Sequence, residues 1–199
     1  MSDIYYTIPK EGEGLVREKM SRFLSFAIPV ESVEEATAKI KEFQNKFHDS
    51  RHVCWAYMIG SKREVWQLND NGEPSGTAGK PILGQINSKG LTNVLVIVVR
   101  YFGGIKLGTS GLIVAYREAA RLALEDAGII TCHQMKEIHV EFAYEDMNNI
   151  MKIIKNENIE VLTRHFDNIC MLDLRVREDD YDKICSLLSS KGGRIGVSA

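Results

Sequence analysis

The feature that most constrains the fold is an apolar run, Val94 to Val99, that leads directly into a glycine-rich loop. β-Branched residues dominate the run, and an unbroken apolar segment of this length is typical of a strand buried on both faces. Arg100, Tyr101 and Phe102 follow it, and the loop at 103–111 then opens a helix. Glycines allow a close approach to the backbone, and a helix start attracts negative charge. The segment therefore predicts an anion site at the end of a buried strand.

The first part of the chain predicts a sheet covered by helices. Ser32 and Glu35 form a capping-box pattern at the start of the first helix. The third helix is rich in alanine and ends before Gly128, so we expect it to pack closely on the sheet. Strands are expected over 16–30, 52–59, 65–68 and 93–102, and helices over about 33–47, 78–86 and 110–127.

The last part of the chain predicts a second domain. Strands are expected over 136–144, 158–166, 169–177 and 194–197, with helices over 145–157 and 179–190. The resulting βαββαβ order is the ferredoxin-like pattern. We therefore predict an α+β protein with one domain over residues 1–134 and a ferredoxin-like domain over 135–199.

Composition and charge restrict the classes of function. The chain is 44% apolar, carries a net charge of −2 and contains four cysteines far apart in sequence. Residues 51–117 hold eight basic and three acidic side chains, whereas residues 135–199 hold nine and twelve. The local basic excess indicates an anionic partner, and an ordinary mixed surface is the alternative. We expect a cytoplasmic protein with reduced cysteines, no membrane span, no metal and no cofactor.

The glycine motifs do not match the common nucleotide-binding patterns. A Walker A loop requires Ser or Thr after Gly79-Lys80, but Pro81 stands there. The loop at 103–108 also lacks the spacing of a dinucleotide fingerprint. Gly108 to Gly111 has the GxxG form that clamps nucleic-acid backbone in KH domains, but it follows a strand instead of joining two helices.

Three possible chemical groups have simpler alternatives. Cys54 and His52 lie two apart on one predicted strand, which could be a nucleophile and base or a core thiol beside a polar histidine. Glu73 could act as an acid or base, or could fix the loop by pairing with Arg100. Arg100 with Tyr101 and Phe102 could hold a phosphate and stack a base, or could be buried in an ion pair. The sequence leaves these alternatives open, and we assign no catalytic residue.

Two glycine motifs carry a resemblance to a known family. Gly72 to Gly79 followed by Pro81, and Val98 to Gly104 followed by Leu107-Gly108, closely resemble the IMPACT family in its bacterial branch. Gly111-Leu112 and Ala115-Tyr116 continue the second motif, and weaker matches lie earlier in the chain, at Ser21 to Phe23 and at His52 with Ala56-Tyr57.

The resemblance implies a fold and a biological context. The first domain is expected to be similar to the second domain of a small-subunit ribosomal protein and to domain IV of elongation factor G, with a left-handed βαβ crossover. The tail is expected to be similar to domain V of the same factor. The context implied is regulation of translation, with RNA, the ribosome or a protein of the translation machinery as partner. The family supplies no catalytic residues.

Two functional hypotheses follow. The first is a non-enzymatic protein that binds RNA or the ribosome, and the second is an enzyme or sensor that binds a small phosphorylated metabolite at the same block. The residues expected to contact the anion are Lys80, Arg100, Tyr101, Gly103, Gly104, Lys106, Gly108, Thr109, Ser110 and Gly111. Those expected to shape the site are His52, Glu73, Ser75 and Thr77.

Overall fold

The computed structural model describes residues 3–196, which form two compact units. One unit is Tyr5–Cys132, and the other joins residues 3–4 to the chain from His133 onward. The described residues contain five α-helices and three sheets. Every strand pair whose register is known in the two larger sheets is antiparallel, which confirms the predicted α+β class. No helix within residues 3–196 is long and apolar enough to cross a membrane.

The first unit is built on a five-stranded sheet with the order β2-β3-β6-β4-β5, and β1 pairs with β7 in a separate two-stranded sheet. In chain order the elements are β1 (Ile4–Thr7), β2 (Gly12–Glu18), β3 (Ser21–Pro29), α1 (Val33–Lys46), β4 (His52–Ile59), β5 (Val65–Asn69), α2 (Gly79–Ser88), β6 (Val94–Tyr101), α3 (Gly108–Ala127) and β7 (Ile130–His133).

Strand β6 is the centre of this unit and is buried on both faces, as its sequence predicts. Its even-numbered residues, such as Val96 and Val98, pack in the core formed with α2 and α3. Its odd-numbered residues, such as Leu95 and Ile97, pack in the core formed with α1. The period-2 alternation of a strand therefore divides one apolar run between two hydrophobic cores.

The prediction of one strand over residues 16–30 is wrong. These residues belong to two antiparallel strands, β2 and β3, joined by a tight turn at Lys19 and Met20. Both turn residues have positive φ, 43° and 69°, which is the geometry that a two-residue hairpin turn requires. Glycine or asparagine normally marks such a turn, and neither is present here.

The second unit has the element order predicted from the sequence. Its elements are β8 (Met135–Ala143), α4 (Met147–Asn156), β9 (Glu160–Phe166), β10 (Ile169–Arg177), α5 (Tyr181–Ser189) and β11 (Arg194–Gly196), with the sheet order β11-β8-β10-β9. Both helices pack on one face of the sheet around Val140, Leu172 and Ile184. Val197, predicted to end the last strand, lies outside the described residues.

Asp3 is fixed within this second unit by Arg177 and His133. Its side chain is fully buried and accepts two hydrogen bonds from the Arg177 guanidinium, at 2.9 and 3.1 Å. His133 Nδ1 lies 3.1 Å from the same carboxylate. The hydrogen bonds from Arg177, together with His133, lower the pKa of Asp3 to about 2 although burial opposes them.

Candidate functional site

The first unit contains a cleft of about 450 Å³ where strand β6 ends and helix α3 begins. Its apolar wall is formed by Pro74, Phe102, Leu107 and Leu112. Its charged and polar lining is contributed by Arg51, His52, Glu73, Arg100, Lys106 and Thr109, together with the backbone of Gly108. The cleft is large enough for a small ligand or for one residue of a polymer.

A buried ion pair lies in the lining of the cleft. Arg100 Nη1 donates to Glu73 Oε1 at 2.7 Å, and the two side chains are only 7% and 3% exposed. The Tyr116 hydroxyl donates to the same carboxylate oxygen at 2.8 Å. Of the two possibilities that the sequence leaves open for Arg100, the structure has the buried pair. Two donors therefore hold the same oxygen of this carboxylate, which fixes its position.

Arg100 keeps one donor that is not used. Its Nε is buried and has no hydrogen-bond partner among residues 3–196. The guanidinium lies over two aromatic rings, 5.5 Å from the centroid of Phe23 and 5.5 Å from that of Phe102. Buried donors in proteins are almost always satisfied, so an unpartnered one beside a cleft is consistent with a ligand that accepts from it.

The loop that carries Glu73 is organised by Asp70. The Asp70 carboxylate accepts hydrogen bonds from the backbone N–H groups of Gly76, Ala78 and Gly79, at 2.8, 3.0 and 2.8 Å. Burial by itself raises the pKa of Asp70, but the three N–H donors outweigh it and lower the pKa. Asp70 thereby stabilises the start of helix α2 and closes the loop that places Glu73 over Arg100.

The Cys54 thiol is unsuited to nucleophilic chemistry. It is fully buried, and its Sγ lies 3.0 Å from the Asp70 carbonyl and 3.3 Å from the Tyr116 hydroxyl. Burial raises the pKa of the thiol to about 12, so the thiolate is scarce at neutral pH. The neighbouring His52 Nδ1 is engaged with the Asn71 carbonyl at 2.8 Å. Of the alternatives for Cys54, the structure therefore favours the core thiol.

The mouth of the cleft is positively charged. Arg51 and Lys106 are exposed, and neither forms an ion pair with any residue that the structure describes. Helix α3 begins beside them at Gly108, which has φ of 74°, and the helix has no side-chain cap. Its first N–H groups add partial positive charge to that of the two side chains.

Only part of the predicted anion-contact set meets in this cleft. Arg100, Lys106, Gly108 and Thr109 line it, and so do the predicted site-shaping residues His52 and Glu73. Thr77 is buried and donates to the Pro74 carbonyl at 2.6 Å, which helps to hold the loop.

The other predicted residues lie elsewhere. Tyr101 packs on the α1 face of the sheet, opposite the cleft, and donates to Asp49 at 2.9 Å. Ser110 and Gly111 line a separate depression on α3. Ser75 on the loop and Lys80 on α2 are exposed and do not line the cleft. Alternation along β6 accounts for Tyr101, because residues 100 and 101 must point to opposite faces.

The glycines of the loop have different roles. A Cβ on Gly103 would lie 2.1 Å from the backbone carbon of Met20, so Gly103 is required for close packing against the β2–β3 hairpin. Its N–H donates to Ser21 Oγ at 3.2 Å. Gly104 has φ of 88° and open space around it. Gly103 is therefore architectural, and Gly104 serves the turn of the loop.

Sequence reasoning missed Arg51 and Asp70. Arg51 directly precedes β4, and its place beside the cleft depends on the pairing of His52 with Arg100 across β4 and β6. Asp70 lies nine residues before the start of α2 at Gly79, too far for the local N-cap pattern to reveal its hydrogen bonds to that helix start. Among residues 3–196, no group of three or more His, Cys, Asp or Glu side chains could hold a metal ion.

The family model and the known proteins that match this chain belong to one family. A family model described as the Impact N-terminal domain matches residues 19–124. IMPACT family member YvyE of Bacillus subtilis (strain 168) is 31% identical over 176 residues, which span 88% of this chain and 81% of the relative. IMPACT family member YigZ of Escherichia coli (strain K12) is 31% identical over 170 residues, 84% of this chain and 83% of the relative.

Similarity extends to a more distant relative and to a solved structure. The protein IMPACT homolog of Saccharomyces cerevisiae is 33% identical over 98 residues, 47% of this chain and 37% of the relative. A crystal structure of a hypothetical protein matches 100% of this chain and 99% of its own, with a TM-score of 0.73 at 24% identity, which is a likeness of fold. The resemblance seen in the glycine motifs is confirmed, and the chain belongs to the IMPACT family.

Proposed function

We propose that the protein is a non-enzymatic, translation-linked binding protein that contacts the phosphates of RNA, free or in the ribosome, through the cleft of its first unit. The observation that carries the proposal is the pair of unmatched cations, Arg51 and Lys106, at the start of helix α3. A helix start flanked by free cations suits phosphate oxygens, which accept several hydrogen bonds and carry full negative charge.

The buried groups support binding more than catalysis. Glu73 is held by Arg100 and Tyr116, so it is poorly placed to exchange protons with a ligand. Cys54 and His52 are engaged with backbone carbonyls. Groups that are immobilised in this way provide a rigid wall for recognition.

The two units support the translation context. We propose that the chain divides near residue 134 into a first domain similar to domain IV of elongation factor G and a second, ferredoxin-like domain similar to its domain V. The strand order β11-β8-β10-β9 agrees with a ferredoxin-like arrangement for the second unit. Partners would then be RNA, the ribosome or a protein of the translation machinery.

The test measures RNA binding as a function of salt. Purified protein should bind RNA or ribosomal particles with an affinity that falls as salt rises, because phosphate contacts release counterions. Replacing Arg51 and Lys106 together by glutamate should weaken binding and reduce the salt slope by about 1.4 for single strands. Lys41→Glu is the matched control, since Lys41 is exposed on α1 across the sheet from the cleft. Binding that is absent, or equally weakened by the control, would refute the proposal.

A second candidate function is an enzyme or sensor for a small phosphorylated metabolite. The observation that favours it is the buried, hydrogen-bonded cluster of Arg100, Glu73, Tyr116 and Cys54, of which Arg100 and Glu73 line the cleft. A thermal-shift screen with nucleotides and sugar phosphates would test it, because a ligand at 100 times its Kd adds about 2.7 kcal/mol of stability. Stabilisation by no member of such a screen would argue against this candidate.

A further inference from the structure

We propose that the cleft seats an unpaired nucleobase on the ring of Phe102, so that the RNA bound is single-stranded. This inference rests on the RNA-binding function proposed above and specifies the form of RNA that the cleft accepts.

Phe102 is placed and exposed as a stacking platform. It directly follows strand β6, lines the cleft and is 43% exposed. The Arg100 guanidinium lies over its ring at 5.5 Å from the centroid. This cation is fixed by Glu73, so it orients the ring from one side and leaves the remaining exposed surface for a ligand. Nucleobases stack on such rings because every base has a π face.

The distribution of charge in the cleft matches a nucleotide within a strand. Pro74, Leu107 and Leu112 continue the apolar wall from Phe102, whereas Arg51 and Lys106 stand at its mouth. A base is flat and largely apolar on its faces, and the phosphates on either side of it are anionic. Base pairing would keep that face stacked inside a duplex, so the apolar wall selects unpaired nucleotides.

The unsatisfied donor of Arg100 also favours a nucleotide as the ligand. Arg100 is 5% exposed and lines the cleft, and its Nε has no partner within residues 3–196. The base edges and the phosphate of a nucleotide both provide acceptors for a donor in this position. The unused donor is an observation separate from the helix start, and it is expected to be satisfied when a nucleotide is bound.

The experiment compares single-stranded and duplex RNA on Phe102 variants. Fluorescence anisotropy with a short unstructured RNA should show that Phe102→Ala weakens binding about 5- to 150-fold, which corresponds to a stacking energy of about 1 to 3 kcal/mol. Phe102→Tyr should keep the affinity, and Phe102→Leu should lose it despite retaining an apolar side chain. Ile105→Ala is the matched control, because Ile105 is 50% exposed on the same loop but does not line the cleft. Thermal melting of each variant ensures that folded proteins are compared.

The outcomes separate this inference from the function on which it rests. If RNA binds but Phe102→Ala weakens binding no more than Ile105→Ala, the inference that a base stacks on Phe102 is wrong. The same holds if duplex RNA binds as tightly as single-stranded RNA. In both cases the proposal of phosphate binding is retained. If no RNA binds the wild type at any salt concentration, the proposed function itself fails. Adenosine monophosphate that binds as tightly as the RNA, and depends on Phe102, would overturn the choice of a strand in favour of a free nucleotide.

Discussion

Removing the Glu73 carboxylate should destabilise the first unit far more than removing a surface carboxylate. Its Oε1 accepts from Arg100 at 2.7 Å and from Tyr116 at 2.8 Å, and both charged side chains are less than one-tenth exposed. Glu73→Ala would leave a buried guanidinium without an anion. Breaking a buried pair in this way costs about 3 to 5 kcal/mol. For a unit of this size the loss corresponds to a fall in Tm of about 10 to 20 °C.

Chemical denaturation followed by tryptophan fluorescence measures this loss, and two further variants test its cause. Glu73→Gln keeps an oxygen that can accept both hydrogen bonds, so it should lose less than Glu73→Ala. The double change Glu73→Leu with Arg100→Met removes both charges, so it should recover much of the lost stability.

The matched control is Glu42→Ala, which removes the carboxylate of the exposed Lys39–Glu42 pair. A surface pair contributes about 0 to 1 kcal/mol, so this change should have little effect on the free energy of unfolding. The reasoning is refuted if Glu73→Ala costs no more than this control. It is also refuted if the double change costs as much as the two single changes added together.

Three other perturbations have defined outcomes. Asp70 has a lowered pKa, so the stability that its carboxylate contributes is present above about pH 3.8 and is lost as pH falls through the lowered pKa. Asp70→Asn should therefore flatten this part of the stability profile in a pH series of urea melts. Gly103→Ala should lower Tm because its Cβ would lie 2.1 Å from backbone, whereas Gly84→Ala, with nothing within 4 Å, should raise stability by up to about 1 kcal/mol in helix α2. The hydrogen bond that His139 Nδ1 donates to the Asp173 carboxylate raises the pKa of His139, so the stability that this pair contributes is present below pH 6.5 and is lost as pH rises through the raised pKa. An NMR titration should show a lower His139 pKa in Asp173→Asn.

The parts of the fold that follow from local pattern were predictable. The apolar run of β6 and the capping box of α1 specify their elements directly, and the structure has Ser32 accepting from the Glu35 N–H at 3.1 Å. The βαββαβ order of the second unit was predicted because each element has its own periodicity and is separated from the next by polar residues.

The parts that depend on distant contacts were not predictable. The hairpin turn at Lys19 and Met20 has no glycine, and it is held partly by the close approach of Gly103. Strands β1 and β7 have four residues each and are defined by their pairing with one another across most of the chain. Four residues are too few to show a period-2 pattern.

For the candidate site, the sequence pattern marks a segment of which part lines the cleft, but it does not show which of its residues face the cleft. Strand alternation separates Arg100 from Tyr101, and Asp70 determines where the Glu73 loop lies. The recruitment of Arg51 depends on strand pairing, which no local pattern encodes.

The arrangement of the cysteines has a practical consequence for following the motions of this protein. Cys54 in the first unit and Cys170 in the second are both fully buried. A thiol reagent can reach either sulfur only when the surrounding core opens, so the rate of its reaction reports the free energy of that opening. Single-cysteine versions that retain one or the other would therefore report the opening of each core separately.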